Sequence, residues 1–413
     1  MTDSPNENKL RVKKYLGLEN VSVLAGAGTS WHLGAPVIRS IPSALKQVCK
    51  KDIDTYFGEG KNPSFEDLMN CLQADRFLKE KKGESITEID KSIKLMQKWL
   101  FDNCNTDKTT LNITDNGRLN KNRYHFHETF IKRLLQRPNN LKRANLFTTN
   151  YDMAFDYALD NLGIHYINGF MGVHNRCFRP EVYDYDLYYP GQSVTGKVHR
   201  AEKVLKYYKI HGSLSWLATK PSVSNTYGIK EIPLNDEFKV GDENELMVYP
   251  CVSKKSFTLD LPYSELFRQF SQTINQPQSV LFCVGYSFYD EHINDIIKQA
   301  LSIPSFTLII ANFSPTKDLD SPIEELRKLN DKRIIIIDEA DSNQSTFIGF
   351  IDNVMPDLYE EEENEVIANT LERIYKKDLT LSTIPTVVPE PTINSEVKNE
   401  IKKDEDEDED LPF

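Results

Sequence analysis

The sequence predicts an α/β fold built on a doubly wound parallel sheet, and three observations carry that prediction. Short apolar, β-branched runs recur through the 413 residues: VSVLA (21–25), NLFTT (145–149), VLKYYKI (204–210), LMVY (246–249), SVLFCV (279–284), FTLII (306–310) and RIIIID (333–338). Runs that are apolar at consecutive positions suit strands covered on both faces. Amphipathic segments follow several of them, such as the stretch from Asp152 to Leu159 that ends at Gly163, and the stretch from Asp290 to Ala300. Strands alternating with helices point to parallel pairing. The third observation is the spacing of the first two runs. About a hundred residues lie between them, too many for one crossover connection.

Those intervening residues read mostly as helix, including Ser64 to Leu72 and His127 to Leu135, with a polar loop near 102–123. They predict a helical insertion after the first strand. Residues 164–203 and 218–245, rich in Tyr, Gly, Asn and charge, read as long irregular excursions over the sheet edge, either lids or plain surface loops. After Leu381 the composition turns to Pro, Thr and Val and then to charge, which predicts disorder over the last ~30 residues. The expected organisation is an N-terminal segment (1–20), a Rossmann-like domain (21–45 and 141–378), the helical insertion (46–140) and an acidic tail (379–413).

Composition narrows the function classes. Apolar residues make up 39% and charged residues 27% of the chain, as in soluble globular proteins. No run approaches the ~18 apolar residues of a membrane span, and the polar start MTDSPNENKLRVKK lacks the apolar core of a secretory signal. A cytoplasmic protein with no membrane partner is expected. The formal charge is −12, but seven of the negatives form the run Asp404 to Asp410, without which it is −5. A mildly acidic body binds nucleic acid poorly by phosphate neutralisation, so direct nucleic-acid binding is not expected. Cys49, Cys71, Cys104, Cys177, Cys251 and Cys283 lie at least 22 positions apart. That spacing argues for reduced thiols, with neither a disulfide framework nor a C-x-x-C metal site.

Five local patterns carry the chemistry. In VSVLAGAGTSWHLGAP (21–36) a strand opens into Gly26-Ala27-Gly28, where glycines let the backbone turn sharply and approach a pyrophosphate. Thr29 and Ser30 add hydroxyl and amide donors at a helix start. The spacing differs from G-x-G-x-x-G, because Trp31 stands three residues past Gly28, and the turn can also be read as purely structural. LFTTNYD (146–152) ends a buried strand in Asn150, suited to orienting a ribose hydroxyl or a water, and Asp152, suited to accepting a carboxamide N–H or offsetting a developing cation. Either residue is equally a helix N-cap. YKIHGSLSW (208–216) ends a strand in His211, whose imidazole is a fitting proton acceptor near neutral pH, though a lone strand-end histidine is often structural. In CVGYSFYDEHIND (283–295) Gly285 and Ser287 follow a strand at a position fit for phosphate or ribose, with Asp290 read as an N-cap. LIIANFSP (308–315) ends a strand in Asn312, whose amide suits an adenosine ribose.

The series GAG-x-S with a downstream G-x-P, then T-x-N-x-D, HG, G-x-S and a late strand-end Asn resembles the sirtuin superfamily over roughly residues 18–340. The resemblance implies that Gly26, Ala27, Gly28, Thr29, Ser30 and Pro36 line an NAD⁺ pocket. It places Asn150, Asp152 and His211 at the nicotinamide ribose, with Gly285, Ser287 and Asn312 towards the phosphates and the adenosine half. Two departures matter. Protein-deacylating sirtuins carry four zinc cysteines between HG and the later strands, where this chain has only Cys251, and they read G-I-P-D-F-R where this chain has Gly34-Ala35-Pro36-Val37-Ile38-Arg39. Without a zinc module the chain looks most similar to bacterial antiphage sirtuin-like proteins that deplete NAD⁺, some of which act with a hexameric HerA-type ATPase. The implied function is NAD⁺ hydrolysis to ADP-ribose and nicotinamide with no metal, in a homo-oligomer gated by such a partner. The alternatives are an NAD⁺- or ADP-ribose-binding scaffold without turnover, and an NAD⁺-dependent deacylase or ADP-ribosyltransferase.

Overall fold

The computed structural model describes residues 5–36, 41–105, 113–115, 118–120, 123–191, 198–234, 246–248, 262–313, 321–338 and 344–359. The expectations for Val37 to Arg39, for Cys251 and for the tail over 379–413 lie outside these residues. The expected parallel sheet is present. Its seven strands are β1 (Asn20–Ala25), β2 (Asn145–Thr148), β3 (His165–Ile167), β4 (Val204–Lys209), β5 (Ser279–Val284), β6 (Thr307–Asn312) and β7 (Ile334–Asp338). They are hydrogen-bonded in the order β7-β6-β5-β1-β2-β4-β3, each neighbouring pair parallel. The chain leaves β1 for β2 on one side and later returns to β5 on the other. Ligands of sheets wound this way sit beyond the carboxyl ends of the strands at such a switch.

Burial explains the consecutive apolar runs. Strands β1, β5 and β6 are buried along their whole length, and successive side chains point to opposite faces. Val21, Val23 and Ala25 enter one core while Leu24 enters the other, and Leu146 and Phe147 of β2 divide in the same way. Helix α1 (Pro5–Leu16) adds Val12 and Leu16 to the first core, so part of the N-terminal segment is bound to the sheet.

Between β1 and β2 the chain forms α2 (Ser43–Val48), α3 (Lys50–Phe57), α4 (Phe65–Lys82) and α5 (Thr87–Cys104). Helix α4 starts on a capping box: Ser64 accepts from the Asp67 amide and Asp67 accepts from the Ser64 amide, which satisfies two N–H groups that a helix start leaves free. It stops at Gly83, whose φ of 71° is the left-handed turn that glycine adopts readily. The apolar faces of these helices meet in a third core, around Leu68, Met69, Leu72 and Met96. Tyr151, from the loop after β2, and Leu214, from the strand that follows β4, belong to that core too.

Helices α6 (His125–Leu134) and α7 (Ala154–Asn161) cover the first face of the sheet, while α8 (Tyr263–Ile274), α9 (Glu291–Ala300) and α10 (Pro322–Lys328) cover the second. Helix α11 (Phe347–Asn353) returns to the first face. There the His32 and His127 rings stack at 5.3 Å among Phe126, Phe155 and Phe347. Burial lowers His32 to about 4 and holds His127 well below its ordinary value, so both are neutral near pH 7. The residues just past the glycine turn are thus pinned by apolar ring contacts.

The excursions predicted as irregular are partly ordered. Beyond β3 they contribute to a five-stranded antiparallel sheet in the order Leu246–Val248, Gly212–Ala218, Ile229–Glu231, Arg176–Phe178 and Phe170–Met171. The LMVY run belongs here and not in the parallel sheet, since its partner is Gly212–Ala218. Four of these strands are only two or three residues long, too short for side-chain alternation to register in the sequence.

The ends of β1 and β5 meet backbone to backbone. A Cβ on Gly26 would stand 2.5 Å from the Gly285 carbonyl oxygen, one on Gly28 would stand 2.7 Å from Gly285 Cα, and one on Gly285 would stand 2.5 Å from the Thr29 nitrogen. Gly285 also has a φ of 63°, strained for any other residue. Gly26→Ala and Gly285→Ala are each expected to destabilise the protein by roughly 3 kcal/mol through overpacking, read by urea unfolding. A loss below about 0.5 kcal/mol, the scatter of ordinary surface substitutions, would show that the two strand ends can separate freely.

Candidate functional site

Strands β2 and β4 are in register at Thr148 and Lys209, so Asn150 and His211 each stand two residues past that pair, side by side at the carboxyl edge. The Thr149 amide donates to the Ala25 carbonyl and the Ile210 amide to the Thr148 carbonyl. These bonds tie the ends of β1, β2 and β4 together at the switch point.

Asn150 is 6% exposed. Its Nδ2 donates to Thr29 Oγ1 at 3.1 Å and Ser30 Oγ at 3.2 Å, and its amide donates to Thr148 Oγ1 at 3.0 Å. Both amide hydrogens are therefore occupied, while the buried Oδ1 has no partner. An unmatched buried acceptor costs ~1–3 kcal/mol, and a ligand or water hydroxyl would remove that cost.

Thr29 and Ser30 are fully buried and face Asn150. The amides of Gly28, Thr29 and Ser30 donate to Gly285, Gly26 and Ala27 carbonyls within the turn. Residues 27–29 and 31–33 form two separate short 3₁₀ turns in place of the expected helix start. In this arrangement Thr29 and Ser30 hold Asn150 from beneath, while Ala27, Gly28 and Pro36 are the half-buried positions of the motif.

Asp152 is 5% exposed. Its Oδ1 accepts from the Ala154 amide at 3.0 Å and so turns the chain into α7, and it also bonds Ser30. Burial raises its pKa, only partly opposed by the Ala154 amide, Lys209 and Ser30. His211 has a side-chain exposure of 15%, and its Nε2 lies 2.8 Å from Asp290 Oδ2, outside hydrogen-bond alignment of the ring N–H. Asp290 caps α9 as the sequence predicts, its Oδ1 accepting from the His292 and Ile293 amides. Gly285 is half-buried against Gly28, Ser287 is exposed, and Asn312 donates its Nδ2 to Asp338 Oδ1 at 2.8 Å. Asn312 therefore ties the ends of β6 and β7 together.

Lys209 was not singled out from the sequence. It is 3% exposed, and its Nζ donates to the Asp152 carbonyl at 2.6 Å and to Asp156 Oδ2 at 3.1 Å, a carboxylate that also accepts from Tyr207. A buried cation thus braces the backbone that carries Asn150 and Asp152. The available signal is the second lysine of the run VLKYYKI, at the end of its strand. Among the described residues no group of three His, Cys, Asp or Glu side chains is placed to hold a metal ion. No described helix is long and apolar enough to cross a membrane.

Residues 144–337, from the residue before β2 into β7, match the family model described as a SIR2-like domain. No curated protein matches the chain. Two similar solved structures are a Sir2 homologue in complex with NAD and a mutant Sir2 homologue in complex with ADP ribose. The first is 15% identical, covers 84% of this chain and 91% of its own, and has a TM-score of 0.38. The second is 12% identical, with coverage of 86% and 98% and a TM-score of 0.39.

The burial of Asp152 fixes a pH dependence. Its folded pKa lies above the ordinary 3.8, so the native state holds the proton more firmly than the unfolded chain does. The stability penalty is absent below the unfolded value, grows as pH rises towards the folded one, and is constant above it. Asp152→Asn keeps an acceptor for Ala154 and is expected to melt above wild type near pH 7, the gap closing as pH falls towards 3.8. A variant less stable near pH 7 would show that Ser30 and Lys209 more than offset the burial.

Proposed function

We propose that the protein binds NAD⁺ at the carboxyl edge of the β1, β2, β4 and β5 ends and hydrolyses it to ADP-ribose and nicotinamide. The observation that carries this reading is the pairing of Asn150, with its unmatched acceptor, and His211 at adjacent strand ends beside the glycine contact of β1 and β5. Cleavage of the glycosidic bond builds positive charge at the anomeric carbon while nicotinamide leaves as a neutral ring. The site must admit one water to that carbon and exclude the rest.

Asn150 Oδ1 accepts a hydrogen bond from that water or from a ribose hydroxyl and so fixes its direction. His211 takes the proton. Asp152 accepts the carboxamide N–H, a contact that also relieves the cost of its buried charge. Ala27, Gly28 and Pro36 line the pyrophosphate side, with Ser287 and Asn312 towards the adenosine. Each positioned group is worth ~2–4 kcal/mol of barrier.

Asn150→Ala and His211→Ala are each expected to lower nicotinamide release at least ~100-fold, with circular dichroism still reporting a folded protein. Turnover near wild type in either would remove that residue from the mechanism.

The resemblance extends the proposal to an effector of antiphage defence that acts by NAD⁺ depletion. A hydrolase that was always open would drain its own cell, so a gate is required, and we assign it to homo-oligomerisation together with a hexameric HerA-type ATPase. Light scattering is expected to give an oligomer, and NAD⁺ turnover is expected to rise when the ATPase is added. A fully active monomer indifferent to the ATPase would rule the gate out.

A further inference from the structure

The loop from Gly285 to Asp290 is held in an unfavourable conformation. Phe288 is buried and has a φ of 59°, which a bulky side chain adopts only under constraint. The constraint is visible: Asn294 Nδ2 donates to the Phe288 carbonyl at 2.6 Å, and Tyr286 Oη lies 3.3 Å from Asn294 Oδ1. The result is to set Asp290 facing two ways. One carboxylate oxygen caps α9 and the other lies 2.8 Å from His211 Nε2. A cap alone needs only the first oxygen.

We propose that Asp290 is the positioning residue for His211, fixing its ring and tautomer so that Nδ1 is left as the proton acceptor. This rests on the hydrolase reading above. At 2.8 Å two bare lone pairs would repel, so Nε2 carries its proton on the side of the carboxylate, off the line of a full hydrogen bond. Alignment of that contact tightens when substrate fills the site, as such hydrogen bonds commonly do. The remaining surroundings of His211 leave Asp290 as its charged neighbour. Tyr151 and Phe267 are uncharged rings 6.4 and 6.5 Å away, and His292 stands behind Phe267. Asp152 lies in the loop after β2, hydrogen-bonded to Ser30. Lys209 is turned to Asp156, and Glu66 of α4 acts on Tyr286.

The test is Asp290→Asn, which keeps both the size and a cap acceptor and removes the charge, with Asp290→Ser as a second capping variant. Nicotinamide release is expected to lose about 10-fold or more in kcat with KM little changed. In the full chain the His211 ring nitrogen shifts, assigned with His211→Gln, are expected to report the Nε2–H tautomer in wild type and a mixture of the two tautomers in the variants. Folded variants with unchanged His211 ring nitrogen shifts would overturn the proposal, whatever their activity. Absence of nicotinamide release in wild type would instead refute the hydrolase reading, with the NMR shift still deciding the role of Asp290.

Discussion

The site depends on one contact, the meeting of the Gly26, Gly28 and Gly285 backbones at the ends of β1 and β5. It leaves no room for a Cβ on any of the three. It also consumes the amides of the turn, since Gly28 donates to Gly285 and the next two amides fold back on Gly26 and Ala27. With its backbone satisfied, the turn directs its two hydroxyls inward. Those hydroxyls take both hydrogens of Asn150, and the unmatched acceptor follows directly. Close packing at the switch point and the open valence at the centre of the site are thus two ends of one chain of hydrogen bonds.

The helical insertion is built into this arrangement. Tyr151 stands between Asn150 and Asp152, and Leu214 stands three residues past His211, yet both are buried in the core of α2 to α5. Cys104, at the end of α5, is close enough to Asp152 for that carboxylate to help push its thiol above the ordinary range, a rise that is mainly the effect of burial. The loops bearing the polar groups therefore have one apolar neighbour apiece fixed in a separate core. The cost of ordering them is met by hydrophobic burial on the insertion side.

Much of this was legible in the sequence, and the rest was hidden for physical reasons. Six of the seven parallel strands announced themselves, because strands covered on both faces are apolar throughout. The strand-end positions of Asn150, His211 and Asn312 followed from the same runs. The LMVY strand was misplaced since an apolar run does not disclose its partner. Lys209 was overlooked because a charged residue inside a strand reads as a solvated face until Asp156, 53 residues earlier in the chain, is seen beside it. The sequence marks Asp290 as a cap, which it is. Its second oxygen reaches His211 only through a loop whose strained Phe288 has no sequence signature, since any residue type can be forced to positive φ by its surroundings.

His211 occupies a mechanical position as well as a chemical one. Strand β4 ends at Lys209 and the first residue of the antiparallel strand Gly212–Ala218 is Gly212, whose φ is 92°. Two residues thus join a rigid parallel sheet to a second, smaller one, and the imidazole is mounted on the joint. A turn of the small sheet against the parallel one would have to be taken up at residues 210 and 211, where the chain passes between them. A strap from the Ile210 amide to the Thr148 carbonyl secures one side of the joint, and Asp290 Oδ2 approaches the ring to 2.8 Å on the other. The residue at which the two sheets join is thus the one whose side chain the proposed chemistry requires.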